Sequence, residues 1–152
     1  MKIRPALPDD VVFVMATLPR LAGFGPPPWR PPEDIVTGEG RTIQAFFEAP
    51  PQGSALLIAE SDQGARLGFI YLERLQDYFT LEWHGHVGIL AVTEGAEGHG
   101  AGGALMRAAE AWARDEGYRK LTLTVFEENR DARAVYDHLG YTPETVRYVK
   151  LL

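Results

Sequence analysis

The sequence contains no cysteine, and so has no disulfide framework, no thiolate metal site and no cysteine nucleophile. Long apolar runs are missing too. No stretch approaches the ~18 consecutive apolar residues of a membrane span, and the opening MKIRPALPDD carries two acids where a secretory leader needs an apolar segment. A cytoplasmic protein without a membrane partner is the expectation. Sustained basic clusters are also lacking: 15 Lys and Arg stand against 21 Asp and Glu, a net charge of −6. Such a surface repels nucleic acid and anionic lipid and favours cationic partners, amines among them. No nucleic-acid partner is expected. Nor is any tract polar or repetitive enough for disorder or a solenoid.

What remains is a globular composition, 45% hydrophobic and 24% charged, in a chain of 152 residues. That length suits a single domain spanning 1–152, able to remove roughly 70% of its unfolded surface from water. KIRPA reads as a first strand, and PDDVVFVMATLPRLA as a helix capped by Asp9 or Asp10, with Val11, Met15 and Leu18 on one face. The proline-rich GFGPPPWRPPED must be an extended loop, carrying Phe24 and Trp29, before a second helix from about Thr42 to Glu48. SALLIAES, ARLGFIYLERLQDYFTL and EWHGHVGILAV are strand-like, with turns at Gln63-Gly64 and between Gln76 and Thr80, which makes an antiparallel meander. A helix follows with Leu105, Ala108, Ala109 and Trp112 on one face and Gly117 as its stop. KLTLTVF predicts a buried strand, Asn129 the cap of a helix bearing Ala132, Val135, Tyr136 and Leu139 that Gly140 ends, and TVRYVKLL a last strand. The order β-α-α-β-β-β-α-β-α-β is an α+β fold.

Between the third meander strand and its helix, TEGAEGHGAGGALM places five glycines within nine residues. A glycine loop opening a helix exposes main-chain N–H groups at the positive end of the helix dipole, a seat for a diphosphate. Gly98, Gly100 and Gly103 satisfy a dinucleotide fingerprint, with Glu127 where a ribose-binding acid would stand, but only 25 residues follow Glu127, too few for a second dinucleotide-binding half. A Walker-type loop is excluded because no Lys-Ser or Lys-Thr follows the last glycine. A turn whose glycines serve only flexibility and close packing stays open.

A further pattern uses more of the chain. LAV, then EGHGAGGALM, a strand, and NRDARAVYDHLGY together resemble the GNAT superfamily of acyl-CoA-dependent N-acyltransferases, whose signature pairs Q/R-x-x-G-x-G/A with N-x-x-A-x-x-x-Y-x-x-x-G-F/Y. Gly100 and Gly102 take the loop glycines, and Asn129, Ala132, Tyr136, Gly140 and Tyr141 fill the second segment. The match is strongest from Val87 to Tyr141. One position departs: Glu97 stands where the family carries Gln or Arg, an anion beside an anion site that would repel it by about 1 kcal/mol or more.

The resemblance implies a mixed sheet of about six or seven strands with helices on both faces, and transfer of an acetyl group from acetyl-CoA to a primary amine of a small molecule or peptide. It implies that Leu90, Ala91 and Val92 line a gap between splayed strands that receives the cofactor arm. The loop Gly98, His99, Gly100, Ala101, Gly102 and Gly103 would hold the diphosphate, with Asn129 and Arg133 nearby. Tyr136 matches a general acid for the departing sulfur, a task a neutral phenol suits. For the base, Glu82, His84 and His86 alternate along one strand and share a face if no bulge intervenes. His86 comes first, since imidazole titrates near neutrality, and Glu82 acting through water is next; no metal is expected from this trio. Phe24, Trp29, Tyr78 and Trp83 are candidates for the acceptor wall. A non-catalytic acyl-CoA-binding or regulatory domain on the same fold is the alternative, and the acceptor's identity and a homodimer are left open.

Overall fold

The computed structural model describes residues 1–152. Five strands form one sheet in the order β1-β2-β3-β4-β5: Lys2–Pro5, Ala55–Glu60, Arg66–Gln76, Trp83–Val92 and Leu121–Leu123. The first four are antiparallel neighbours and only β4 and β5 run parallel, joined across the sheet by helix α3, Ala101–Asp115. Helices α1, Val11–Thr17, and α2, Pro32–Glu48, cover the opposite face. Helix α4, Arg130–His138, lies beyond β5.

The alternation of β2, β3 and β4 divides their side chains between two cores. Leu56, Ile58, Phe69, Tyr71, Ile89 and Ala91 pack beneath α1 and α2 with Val14, Leu18 and Ile43. Ala59, Ile70, Leu72 and Val87 pack beneath α3 with Leu105, Met106 and Ala109. The two faces stay in register along β4 because Gly88 is an extra residue: Val87 opposes Leu72 and Ile89 opposes Tyr71. This bulge keeps His84, His86, Ile89 and Ala91 on the α2 face, where uninterrupted alternation would have moved them apart.

Several expectations need correction. The sheet has five strands, not six or seven, because residues 142–152 form no ladder and their Val146, Tyr148 and Leu152 are exposed. Strand propensity in TVRYVKLL requires a paired edge, and β5 offers only three residues, half-buried, where KLTLTVF predicts a longer buried strand. Helix α2 begins ten residues before Thr42, at Pro32. Proline at a first helical position lacks only an N–H that would be unpaired anyway, and Glu33 and Asp34 meet the positive end of the dipole. The buried side of α1 is Val14 and Thr17, continuing to Leu18, while Met15 is exposed.

Asp10 precedes α1 but makes no side-chain cap to it. Fully buried, its carboxylate accepts from both Arg4 Nη atoms at 2.7 and 3.1 Å, from Arg66 Nε, and from the Leu7 N–H at 2.8 Å. Arg4 Nε also reaches Glu60 at 2.6 Å. This network joins β1, β2, β3 and the turn before α1.

Candidate functional site

Strands β4 and β5 pair only through Gly85–Leu121, His86–Thr122 and Val87–Leu123. Past Val87, β4 continues to Val92 while the segment after Leu123 leaves the ladder, so that edge of β4 has no strand partner there. The opening is a cleft of about 930 Å³, lined by Leu90, Ala91 and Val92 on one side and by Thr124, Val125 and Phe126 on the other. Gly98, Gly100, Ala101, Gly102 and Gly103 line one end of the same cleft, and Asn129 and Tyr136 another part of its wall.

The glycine loop has a physical purpose here. Gly98 and Gly100 adopt φ of +72° and +83°, a left-handed backbone that side chains disfavour, and Gly100 is the residue from which α3 starts. The N–H groups of Gly98, Gly100, Ala101, Gly102 and Gly103 have no acceptor within the protein; the first helical return is Ala104 N–H to the Gly100 carbonyl. Five unpaired donors thus lie at or just before the positive end of a 15-residue helix. Arg107 Nη1 lies 3.4 Å from where a side chain on Gly103 would begin. This donor set suits a diphosphate, and the unpaired β4 edge suits an extended arm attached to it.

Other predicted residues occupy different roles. Asn129 caps α4, its Oδ1 accepting from the Ala132 N–H at 3.3 Å. Arg133 donates through Nη1 to the Glu127 carbonyl and carboxylate at 3.2 and 2.8 Å, and is not part of the cleft wall. His99 is exposed and donates from Nδ1 to the Glu97 carbonyl at 2.8 Å. Glu97 is paired: Arg20, from the 3-10 turn Leu18–Ala22, donates Nη2 to its Oε1. Phe24, four residues beyond Arg20, stacks on Phe126 with centroids 5.1 Å apart. The segment after α1 thus spans the cleft between the glycine loop and the end of β5. Trp29, Tyr78 and Trp83 are exposed and do not line it.

Tyr136 is half-buried, its hydroxyl has no partner within the protein, and burial raises its pKa. His86 Nδ1 lies 2.8 Å from Thr122 Oγ1, which is itself 3.5 Å from the Gly85 carbonyl. A hydroxyl donating to that carbonyl accepts from Nδ1–H, leaving Nε2 as the basic nitrogen. Burial lowers the His86 pKa, and His84 lowers it further. Glu82 lies on the exposed turn before β4, and Glu82, His84 and His86 do not form a three-ligand metal group.

Two acids escaped sequence reasoning. Glu73 opposes His86 across the β3–β4 ladder, so both side chains share the α2 face. Its Oε1 stands 3.5 Å from where a side chain on Gly88 would begin. Glu39 projects into the cleft from α2, between the buried Ile35 and Ile43. Burial raises the pKa of each, and Glu73 raises that of Glu39 further. Neither has a cationic partner in the protein. The signal was an acid interrupting an apolar stripe, Ile35-Glu39-Ile43 on a helix and Phe69-Tyr71-Glu73-Leu75 on a strand.

Comparison with known proteins identifies the family. Residues 20–141 match the model of the acetyltransferase (GNAT) family. A mycothiol acetyltransferase of Beutenbergia cavernae is 37% identical over 114 residues, 75% of this chain, although the chain spans only 35% of that relative's length. A Bacillus subtilis protein named uncharacterized N-acetyltransferase YhfO is 30% identical over 95% of this chain and 92% of its own. Among solved structures, a putative acetyl transferase from Pyrococcus furiosus superposes with a TM-score of 0.77 at 22% identity, covering 99% of both chains. The aminoglycoside 6'-N-acetyltransferase AAC(6')-IG of Acinetobacter haemolyticus gives 0.74 at 16% identity, covering 100% of this chain and 99% of that one. The chain belongs to the GNAT acetyltransferase family.

Proposed function

We propose that this protein transfers an acetyl group from acetyl-CoA to the primary amine of a small molecule or peptide, within a ternary complex and without a covalent enzyme intermediate. The observation that carries the reading is that one cleft joins the unpaired N–H groups of Gly98 and Gly100–Gly103, the open edge of β4 and the free Tyr136 hydroxyl. Bound there, acetyl-CoA supplies an activated acyl group as a thioester. The loop amides hold the diphosphate, and Leu90, Ala91 and Val92 offer backbone pairing to the arm. A β4 N–H facing the reacting carbonyl would stabilise charge developing on its oxygen.

Protons are handled by the side chains. Tyr136 Oη holds a proton for the departing sulfur, and its raised pKa keeps it protonated throughout the neutral range. An ammonium cannot attack, so the acceptor must lose a proton, and His86 Nε2 is the assigned base. Glu82, on its exposed turn, has no place in the proposed chemistry. Glu39 lines the cleft and Glu73 faces the same α2 side of the sheet as His86, both carboxylates without a cationic partner, which supports an acceptor that arrives as a cation. The test is thiol release from acetyl-CoA across polyamines, aminoglycosides, amino acids and peptide N-termini. Turnover with one class supports the reading, and no thiol release with any class sinks it.

A further inference from the structure

An acid beside five unpaired main-chain donors is a liability for any anion that those donors bind, and Glu97 immediately precedes Gly98. The liability is met from elsewhere in the chain. Arg20, separated from Glu97 by 77 residues in sequence, donates Nη2 to Glu97 Oε1, and both residues line the cleft that holds the glycine loop. A guanidinium carries five N–H donors in a planar fork. The contact with Glu97 engages one of its nitrogens, and the Arg20 side chain makes no other hydrogen bond within the protein. Nε and Nη1 therefore remain for a second anion.

We propose that Arg20 is a ligand of the cofactor's diphosphate and that Glu97 is its positioning residue, a carboxylate that anchors the guanidinium at the mouth of the amide cradle. This rests on the acyl-CoA reading given above. Where the resembling loops carry Gln or Arg, this chain has Glu97, and a cation is instead supplied by a different segment and held in place by that acid. Other arginines are less suited: Arg133 is engaged by Glu127, and Arg107, although its Nη1 stands beside Gly103, is exposed and does not line the cleft. Without Glu97, Arg20 regains the rotamer freedom of a long surface side chain, and that freedom must be lost again when the anion binds.

The arrangement predicts an effect opposite to simple repulsion. Removing a negative charge next to an anion site should weaken anion binding as long as Arg20 is present. Isothermal titration with acetyl-CoA is the experiment, on the full chain and on Arg20→Ala, Glu97→Ala and the double variant, with thermal melts confirming that each is folded. Arg20→Ala should weaken binding by about tenfold or more. Glu97→Ala should weaken it roughly threefold to tenfold in the parent, yet strengthen it when Arg20 is already alanine, since only repulsion is then left to relieve. S-acetylpantetheine, which lacks the diphosphate, should bind all four proteins alike. Tighter binding by Glu97→Ala in the parent, or no change in Arg20→Ala, overturns the proposal. Inorganic pyrophosphate titrated in parallel separates the two failures. A protein that binds pyrophosphate through Arg20 but ignores acetyl-CoA keeps this site and loses the acyl-CoA reading, while one that binds neither loses both.

Discussion

Tyr136 and His86 have environments that push their protonation in useful and opposite directions. Burial holds the phenol protonated and holds the imidazole neutral. Tyr136→Phe removes the donor and little volume, so kcat should fall by about 100-fold or more while the affinity for acetyl-CoA, measured by titration, stays near that of the parent. As the proposed base, His86 would act in its neutral form, and its pKa is lowered below 6.5 by burial, so kcat/KM should be lost as pH falls through a midpoint on the acid side of that value. In His86→Gln that acid limb should flatten, and a pH–rate profile reads both outcomes. Glu73 works in the other sense: its pKa is raised above 4.5 by burial, so its charge disappears earlier in acid than that of an ordinary glutamate. Glu73→Gln should raise KM for a cationic acceptor by about tenfold with a smaller effect on kcat. Steady-state kinetics with a charged amine and an uncharged analogue of similar size separate this loss of charge recognition from general disruption.

At the level of elements, the Asp10 network ties β1 and the turn before α1 to β2 and β3, 56 residues away in sequence. Hydrogen bonds from Arg4 hold its carboxyl well below the usual range, with the Leu7 N–H and Arg66 adding to the effect against the cost of burial. A group depressed in this way stabilises the fold above its unfolded pKa near 4, and the stability is lost as pH falls below that value. Asp10→Asn should cost about 3 kcal/mol, because it leaves two arginines facing a neutral group. Chemical denaturation at pH 7 and pH 3 should show the gap between variant and parent shrinking in acid. Much of the element map was legible because its signals are local: turn residues at Gly64 and Gly140, alternation in the meander, the Asn129 cap and the glycines before α3. What escaped depends on distant partners. Helix α2 is longer than its sequence suggests, because the prolines before Glu33 signal a loop although Pro32 stands in the first helical turn, and the shorter helix leaves Glu39 off its inward stripe. The Gly88 bulge, the Arg20–Glu97 pair and the Phe24–Phe126 stack exist only once the sheet is assembled. Likewise TVRYVKLL carries strand propensity, but no free edge long enough to pair it.

The molecule as a whole is acidic, with a net charge of −6, yet its proposed cofactor is an anion and its acceptor a cation. The two ligands should therefore respond differently to salt. Association of a cationic acceptor is favoured by the overall field, so its kcat/KM should fall as ionic strength rises through 0.15 M, where the screening length is about 8 Å. The cofactor must instead be drawn by local donors, the loop amides and Arg20, which act at contact distance and outweigh the field only there. Everything in the functional account follows from that local seat. The most direct test follows the backbone amide resonances of the isotopically labelled protein during titration with acetyl-CoA. A diphosphate seated in the glycine loop should give saturable shifts that are largest at Gly98 and Gly100 through Gly103, followed by Leu90, Ala91 and Val92. Shifts that never saturate, or that cluster elsewhere and leave the glycine-loop amides unmoved, would contradict it.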